Sequence, residues 1–429
     1  MVRPVDALAH ASLVRTDPPD PCAPLVLPQL PLLAPGDLPC ATGVVLPQGP
    51  ASVRLFFNEP VDLVGRGVKV FAPDGGRVEQ GPAKVSGAEV SVNVSADAPG
   101  TYLVTWRVIA RDTHPAQGAF PFSVVRPSSP PGGAAAGGLG RPRQGLILQM
   151  LARAIHFVGY ALSFGVFAFR QTILVPLSLA SDAAGERRVW GLVSAGVIAL
   201  VIAEPFALLA QVVSLSVGGD GPFDLEVVGG ALDSSFGRVL AQRLGAAVLL
   251  WVLAGVIRNA GAGVTRASSI VLLLGLAVAL IDGEAAHAVG AHPVWLGLGL
   301  NMLHEAAMGL WIGGLIGLLA IFWLPGIVPR RREVVMRVAR ITGAAVAALI
   351  ITGTVMAFQH LTALRDLTGT PYGRTLLAKI CALAAGVLLA RAAAAAPIEG
   401  RGRWWTREAA VLVGLLGVAG LLVSLPPPR

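Results

Sequence analysis

The sequence predicts a small all-β domain, a sandwich or barrel, followed by an all-α polytopic membrane domain of eight transmembrane helices. Three observations carry this. The 429 residues are 54% hydrophobic and only 14% charged, where a soluble domain carries roughly 25% charge, and the mean hydropathy is +0.69. The apolar residues come in short alternating runs before about residue 126 and in long unbroken stretches after about 146. Between them lies a Pro/Gly/Ala linker, 127–145, with Pro130-Pro131-Gly132-Gly133-Ala134, in which nothing can fill a core. A simple water-soluble enzyme is excluded, and three Cys exclude a disulfide scaffold or a Cys-rich zinc fold.

The β elements are read from alternation. Val53–Phe57, Gly67–Phe71, Glu89–Val94 and Thr101–Trp106 alternate, punctuated by Asp74-Gly75-Gly76 and Ala98-Pro99-Gly100. The helices are read from length, since a span needs ~20 mostly apolar residues. Eight stretches qualify, centred near Gly159, Ala203, Leu249, Gly275, Leu310, Ala347, Gly386 and Gly417. Glu204-Pro205 is expected to break the second near its middle.

The net charge of +8 comes from basic residues that are nearly all arginine, with no run of lysines and aromatics to suit nucleic acid. The arginines mark topology instead. One set of alternate loops holds Arg187 and Arg188, Arg258 and Arg266, Arg330 to Arg332, then Arg401, Arg403 and Arg407. The other holds Asp220, Asp224, Glu226 and Asp233, then Asp282 and Glu284, then Asp366. The first set belongs in the cytoplasm. Both termini then lie outside a cytoplasmic membrane, and the β domain faces the periplasm or exterior.

Export frames the N-terminus. Ala7-Leu8-Ala9 has the shape of a signal-peptidase site without an apolar segment before it. Residues 1–9 read as the remnant of a signal peptide, an accidental match being the alternative. Cleavage would make His10 the mature N-terminus. Asp112-Thr113-His114 sets a carboxylate and an imidazole on one face of an extended segment. With the amine and imidazole of His10 they would give three nitrogens and an oxygen, a set that suits Cu(II). A lone Asp-x-His on a loop, by itself, is usually just polar.

His10-Ala11-Ser12-Leu13-Val14, Val53 to Val61, Gly100 to Val108 and Asp112-Thr113-His114-Pro115-Ala116-Gln117-Gly118 occur in order, and with them residues 10–126 resemble the CopC family of periplasmic copper-binding proteins. The resemblance implies an Ig-like, cupredoxin-like sandwich that binds Cu(II) through His10, Asp112 and His114. Thr113 stands where the family usually has Gly. Glu59 matches a family Glu that could orient a ligand imidazole, with a plain turn role as the alternative. The domain has no Met between Met1 and Met150, hence no thioether set for Cu(I). A Pro-rich insertion between Asp20 and Val44 carries Cys22 and Cys40. Outside the cell these are expected to form a disulfide; copper ligation by the thiols is the alternative.

Residues 146–429 resemble the CopD family, polytopic membrane proteins of copper handling, through His304-Glu305-Ala306-Ala307-Met308-Gly309-Leu310-Trp311-Ile312-Gly313-Gly314-Leu315 and Thr370-Pro371-Tyr372-Gly373. Glu284 and Asn301 depart from the family's pattern. Polar residues in apolar spans are costly and tend to be functional. His304 lies ~15 Å deep at 1.5 Å per residue, with Met308 one turn on. His156 lies at similar depth, and Glu204 is an acid in need of a partner. His287, His292 and His360 fall near the outer ends. Together they outline a copper path; for each alone, ordinary packing is the competing reading. Cys381 reads as a small buried residue.

Copper binding with transport or homeostasis is the expected function, and no enzymatic role. The alternative is an electron-transfer or sensing protein whose His156 and His304 hold haem. No Ser-His-Asp or His-Glu-x-x-His arrangement suggests hydrolysis, and no Gly-x-x-x-x-Gly-Lys-Ser/Thr loop suggests ATP. The expected partners are copper and the lipid bilayer. The oligomeric state is not legible.

Overall fold

A computed structural model describes residues 11–19, 43–131, 143–216, 224–260, 265–285, 293–361 and 363–428. His10, Cys22, Cys40, His287, His292 and the segment 1–9 lie outside the described residues. The chain divides into two compact units, one of Met1–Leu146 with Leu208–Arg238, the other of Ile147–Ala207 with Val239–Arg429.

The first unit is a β-sandwich. Its strands are β1 (Leu13–Asp17), β2 (Val44–Leu46), β3 (Ser52–Phe57), β4 (Val61–Phe71), β5 (Glu79–Ser86), β6 (Glu89–Val94), β7 (Gly100–Ala110) and β8 (Pro115–Val124). They form two four-stranded sheets, ordered β1-β3-β6-β5 and β2-β8-β7-β4. All pairs are antiparallel except β2 with β8. Alternation places Val53, Leu55 and Phe57 of β3 and Val90, Val92 and Val94 of β6 in the core. There they share one cluster with Val104, Trp106, Phe120 and Phe122 of the other sheet. Phe57 meets the Trp106 ring edge-on, with centroids 5.2 Å apart. β7 is buried along its whole length.

A short helix, Leu225–Leu232, packs on β4 in this unit. The strand makes room for it by a bulge between Leu63 and Val68, where Gly65 takes a φ of +58°. A Cβ on Gly230 would lie 2.4 Å from the Gly65 nitrogen, so the two backbones touch directly. Glu226 accepts the Arg66 N–H at 2.7 Å, and Asp62 accepts the Ser235 N–H at 2.8 Å.

Among the described residues, eight helices are long and apolar enough to cross a membrane: α1 (Gln144–Leu174), α2 (Ala183–Leu215), α3 (Ser235–Ala260), α4 (Arg266–Glu284), α5 (Val294–Ile321), α6 (Val328–His360), α7 (Pro371–Ala395) and α8 (Ile398–Ser424). Large apolar side chains stand exposed on them, Trp251, Val252, Leu273, Ile351 and Phe358 among them. In water such surface would drive association; in a bilayer it faces hydrocarbon.

α5 is the hub of the second unit, lying against α1, α4, α6 and α8. Glycines set its approach to α1. A Cβ on Gly165 would come within 1.9 Å of the Gly309 carbonyl oxygen, and one on Gly313 within 2.5 Å of the Ala161 oxygen. Small residues at such a seam let membrane helices pack backbone to backbone. Along it α1 widens into two π-helical turns, Ala161–Gly165 and Arg170–Leu174. The phenyl rings of Phe164 and Phe169 fill the space above Gly275 and Gly317.

Two expectations are corrected. α2 is not broken at Glu204-Pro205 but runs as one helix from Ala183 to Leu215 with Pro205 inside it. Helices in a membrane tolerate such a proline because neighbours satisfy the freed carbonyl. Cys381 is exposed rather than buried. Apolarity does not separate a lipid-facing position from a buried one.

Candidate metal centre

In the sandwich, the turn from β7 to β8 holds Asp112 and His114. The Thr113 N–H donates to the Ala110 carbonyl at 2.9 Å and the Ala110 N–H to the His114 carbonyl at 2.9 Å. This is a three-residue hairpin loop, which requires a left-handed residue at its third position. Thr113 fills that position with φ +67°. Gln211, in the 208–238 segment of this unit, donates from Nε2 to the Thr113 carbonyl at 3.0 Å.

The loop aims both side chains at one point. His114 Nδ1 lies 3.1 Å from Asp112 Oδ2, and the two residues are 2% and 1% exposed. The His114 N–H donates to Asp112 Oδ1 at 3.2 Å, which fixes the carboxylate. Glu59 stands at the neighbouring β3–β4 turn with a buried carboxyl oxygen, Oε1, that has no hydrogen-bond partner. Burial, then the Asp112 charge, pushes its carboxyl up to about 8. The start of the described chain is tied to the same turn: the Ser12 N–H donates to Asn58 Oδ1 at 2.6 Å, and the Asn58 N–H to the Ser12 carbonyl at 3.1 Å. A buried carboxylate and imidazole beside a second acid form a donor set that suits a cation of Cu(II) type.

In the helical unit the histidines singled out in the sequence sit in two separate polar groups, each against α5. His304 is held by α6 and α7: Nδ1 meets Thr352 Oγ1 at 2.8 Å, and Nε2 meets Lys379 Nζ at 3.3 Å. The Thr352 hydroxyl donates onward to the Ala348 carbonyl at 2.7 Å. Met308 packs among apolar side chains. His156 is held by α2 and α4: Nδ1 lies 3.3 Å from Glu204 Oε1 and Nε2 2.8 Å from Asp282 Oδ2. Glu204 is thus answered by an imidazole. The structure does not pair His156 or Glu204 with His304, whose partners lie on α6 and α7. A haem held by both imidazoles would need them to face one another; their partners lie on different helices. His360, the last residue of α6, meets the Met356 carbonyl through Nδ1 at 2.6 Å and stacks on Tyr372 at 6.3 Å.

Sequence reading missed Asp282, Arg243, Glu305 and Lys379. Asp282 sits near the end of α4 and was counted as a loop charge. Glu305 follows His304 directly, and Lys379 lies further along the chain in α7, but nothing in the sequence says which way either faces.

A β-sandwich with a buried Asp–His loop, on one chain with eight membrane-length helices, is the architecture of a membrane protein with an extramembrane β domain. Residues 39–125 match the CopC domain, and residues 145–290 match the copper resistance protein D-like, N-terminal domain. The chain thus carries one segment similar to a CopC domain and a second similar to the N-terminal domain of copper resistance protein D-like proteins. It is 23% identical over 403 residues to the copper transport protein CutJ of Bacillus subtilis (strain 168), covering 89% of this chain and 72% of that protein. Among solved structures, CopC from Methylosinus trichosporium OB3b is 21% identical and covers 28% of this chain and 95% of its own, with a TM-score of 0.20. PcoC, a methionine-rich copper resistance protein from Escherichia coli, is 18% identical and covers 27% of this chain and 98% of its own, with a TM-score of 0.18.

Proposed function

We propose that the sandwich captures Cu(II) outside the cell and that the helical unit passes copper inward across the cytoplasmic membrane. The observation that carries this is the buried Asp112–His114 pair, 3.1 Å apart on a hairpin loop that presets their geometry. The ligands are Asp112, His114 and His10, the last through its amine and imidazole once it is the mature N-terminus. Glu59 orients a ligand imidazole. The fusion supports passage, since a capture domain tethered at the membrane raises the local concentration of its cargo there. Orientation follows from an arginine-rich end of the helical unit. There Arg170 pairs with Glu186 at 3.0 Å and Arg188 Nη1 donates to the Ala320 carbonyl at 2.8 Å. Such an end belongs in the cytoplasm.

His304, His156 and Glu204 then mark the route, with His360 near its mouth and Met308 a thioether beside it. Two measurements test the reading. Cu(II) bound to protein whose first residue is His10 should give a type-2 EPR signal with nitrogen coupling. His114→Ala should lower the Cu(II) affinity and alter that signal, and a residue added ahead of His10 should weaken binding, because an amide replaces the amine ligand. Cells making the protein should accumulate more cytosolic copper than cells lacking it. An unchanged EPR signal in His114→Ala would overturn the capture site, and equal copper levels would overturn transport.

A further inference from the structure

The group around His156 holds more acid than a structural contact needs. Four helices bring His156, Glu204, Asp282 and Glu305 together, and a fifth brings Arg243, whose Nε pairs with Asp282 Oδ1 at 2.5 Å. Ligand atoms of His156, Asp282 and Glu305 all lie within 4.8 Å of one another. All four potential donors are buried: His156 at 5% exposure, Glu204 at 3%, Asp282 at 5% and Glu305 at 6%. Glu305 Oε1 and Glu204 Oε2 have no hydrogen-bond partner. Tyr160, Phe164, Leu200, Val278 and Ala306 pack into one apolar cluster contributed by the same helices.

The charges leave room for an ion. Three carboxylates face one guanidinium, which always carries its charge. With all three ionised and the imidazole neutral, two negative charges would remain, and a buried charge without a partner is among the costliest features a membrane span can carry. Protons on one carboxyl and on the imidazole balance the empty site, and a divalent cation balances it by displacing those two protons. The donors are one nitrogen and carboxylate oxygens with no sulfur, which suits Cu(II) or Zn(II) and not Cu(I). The other polar group lacks this character, since His304 is partnered by a hydroxyl and a lysine rather than by carboxylates.

We propose that His156, Asp282 and Glu305, with Glu204 at their edge, form a divalent-cation site inside the helical unit, with Arg243 as its fixed counter-charge. Its identification with copper rests on the transport reading above; the site itself does not. Cu(II) titrated into the full chain in lipid nanodiscs separates the two. The unsubstituted chain should bind one ion more than Glu305→Gln or Asp282→Asn, and His114→Ala should lose a different ion and keep this one. If His114→Ala changes nothing while Glu305→Gln loses an ion, the capture site fails and this one stands. Unaltered stoichiometry in folded Glu305→Gln and Asp282→Asn overturns the proposal. A second measurement needs no variant. A hydrophobic carbodiimide should modify Glu305 of the unsubstituted protein, and saturating Cu(II) or Zn(II) should protect it. Modification that saturating metal leaves unchanged, or no modification at all, also overturns the site.

Discussion

Thr113 holds a φ of +67° in the loop between two copper-ligand candidates, a conformation that costs a β-branched residue about 1–2 kcal/mol. Gln211 donates to its carbonyl and helps to keep it there. Thr113→Gly should relieve the strain and forfeit about 0.5–1 kcal/mol of chain entropy. The expected result is a sandwich equally stable or more stable by up to about 1 kcal/mol, with Cu(II) binding retained. Thermal melting of the variant checks it, and a clear loss of stability would contradict the loop described. Gln211→Ala should cost about 1 kcal/mol, the usual net worth of a hydrogen bond, and faster amide exchange in the loop from Arg111 to His114 would report it.

At the level of elements, the α1–α5 seam is the most exacting packing in the helical unit. Gly313→Leu would drive a side chain into the backbone of Ala161 and Gly165. Overpacking of this kind costs about 1–3 kcal/mol or more, so the variant should melt lower in detergent. Gly343→Leu is the control, because nothing lies within 4 Å of a Cβ there. Strands and spans differed in how far the chain revealed them. Alternation exposed β3, β6, β7 and the end of β4. It could not expose β5, which is mostly exposed and carries Gly81 and Pro82, nor β8, whose Gly118 and Pro121 interrupt the pattern. All eight spans were legible because length and apolarity are properties of the chain itself. The partners of His156 were not, because helix rotation is set by neighbours, and Asp282 read as a loop charge.

At the level of the whole molecule, the proposed capture site and the proposed route fall in different units of one chain. The proposed location of the sandwich outside the cell makes a further claim about Cys22 and Cys40, which lie in its Pro-rich insertion. A bridge between them closes a loop for which chain entropy predicts ~3 kcal/mol of stabilisation. Non-reducing peptide mapping of protein from intact cells should recover the linked peptides, and two free thiols would contradict export into an oxidising space. The double Ser variant should keep its copper, since neither sulfur is assigned to the metal.

His304 and Glu305 are consecutive residues of α5, and one turns toward α6 and α7 while the other turns toward α1 and α4. A helix is stiff to twisting over a single residue, whose angular step is about 100°. The two faces are therefore geared together: any rotation of α5 that withdraws the carboxylate from its neighbours swings the imidazole away from Thr352 and Lys379 by the same angle.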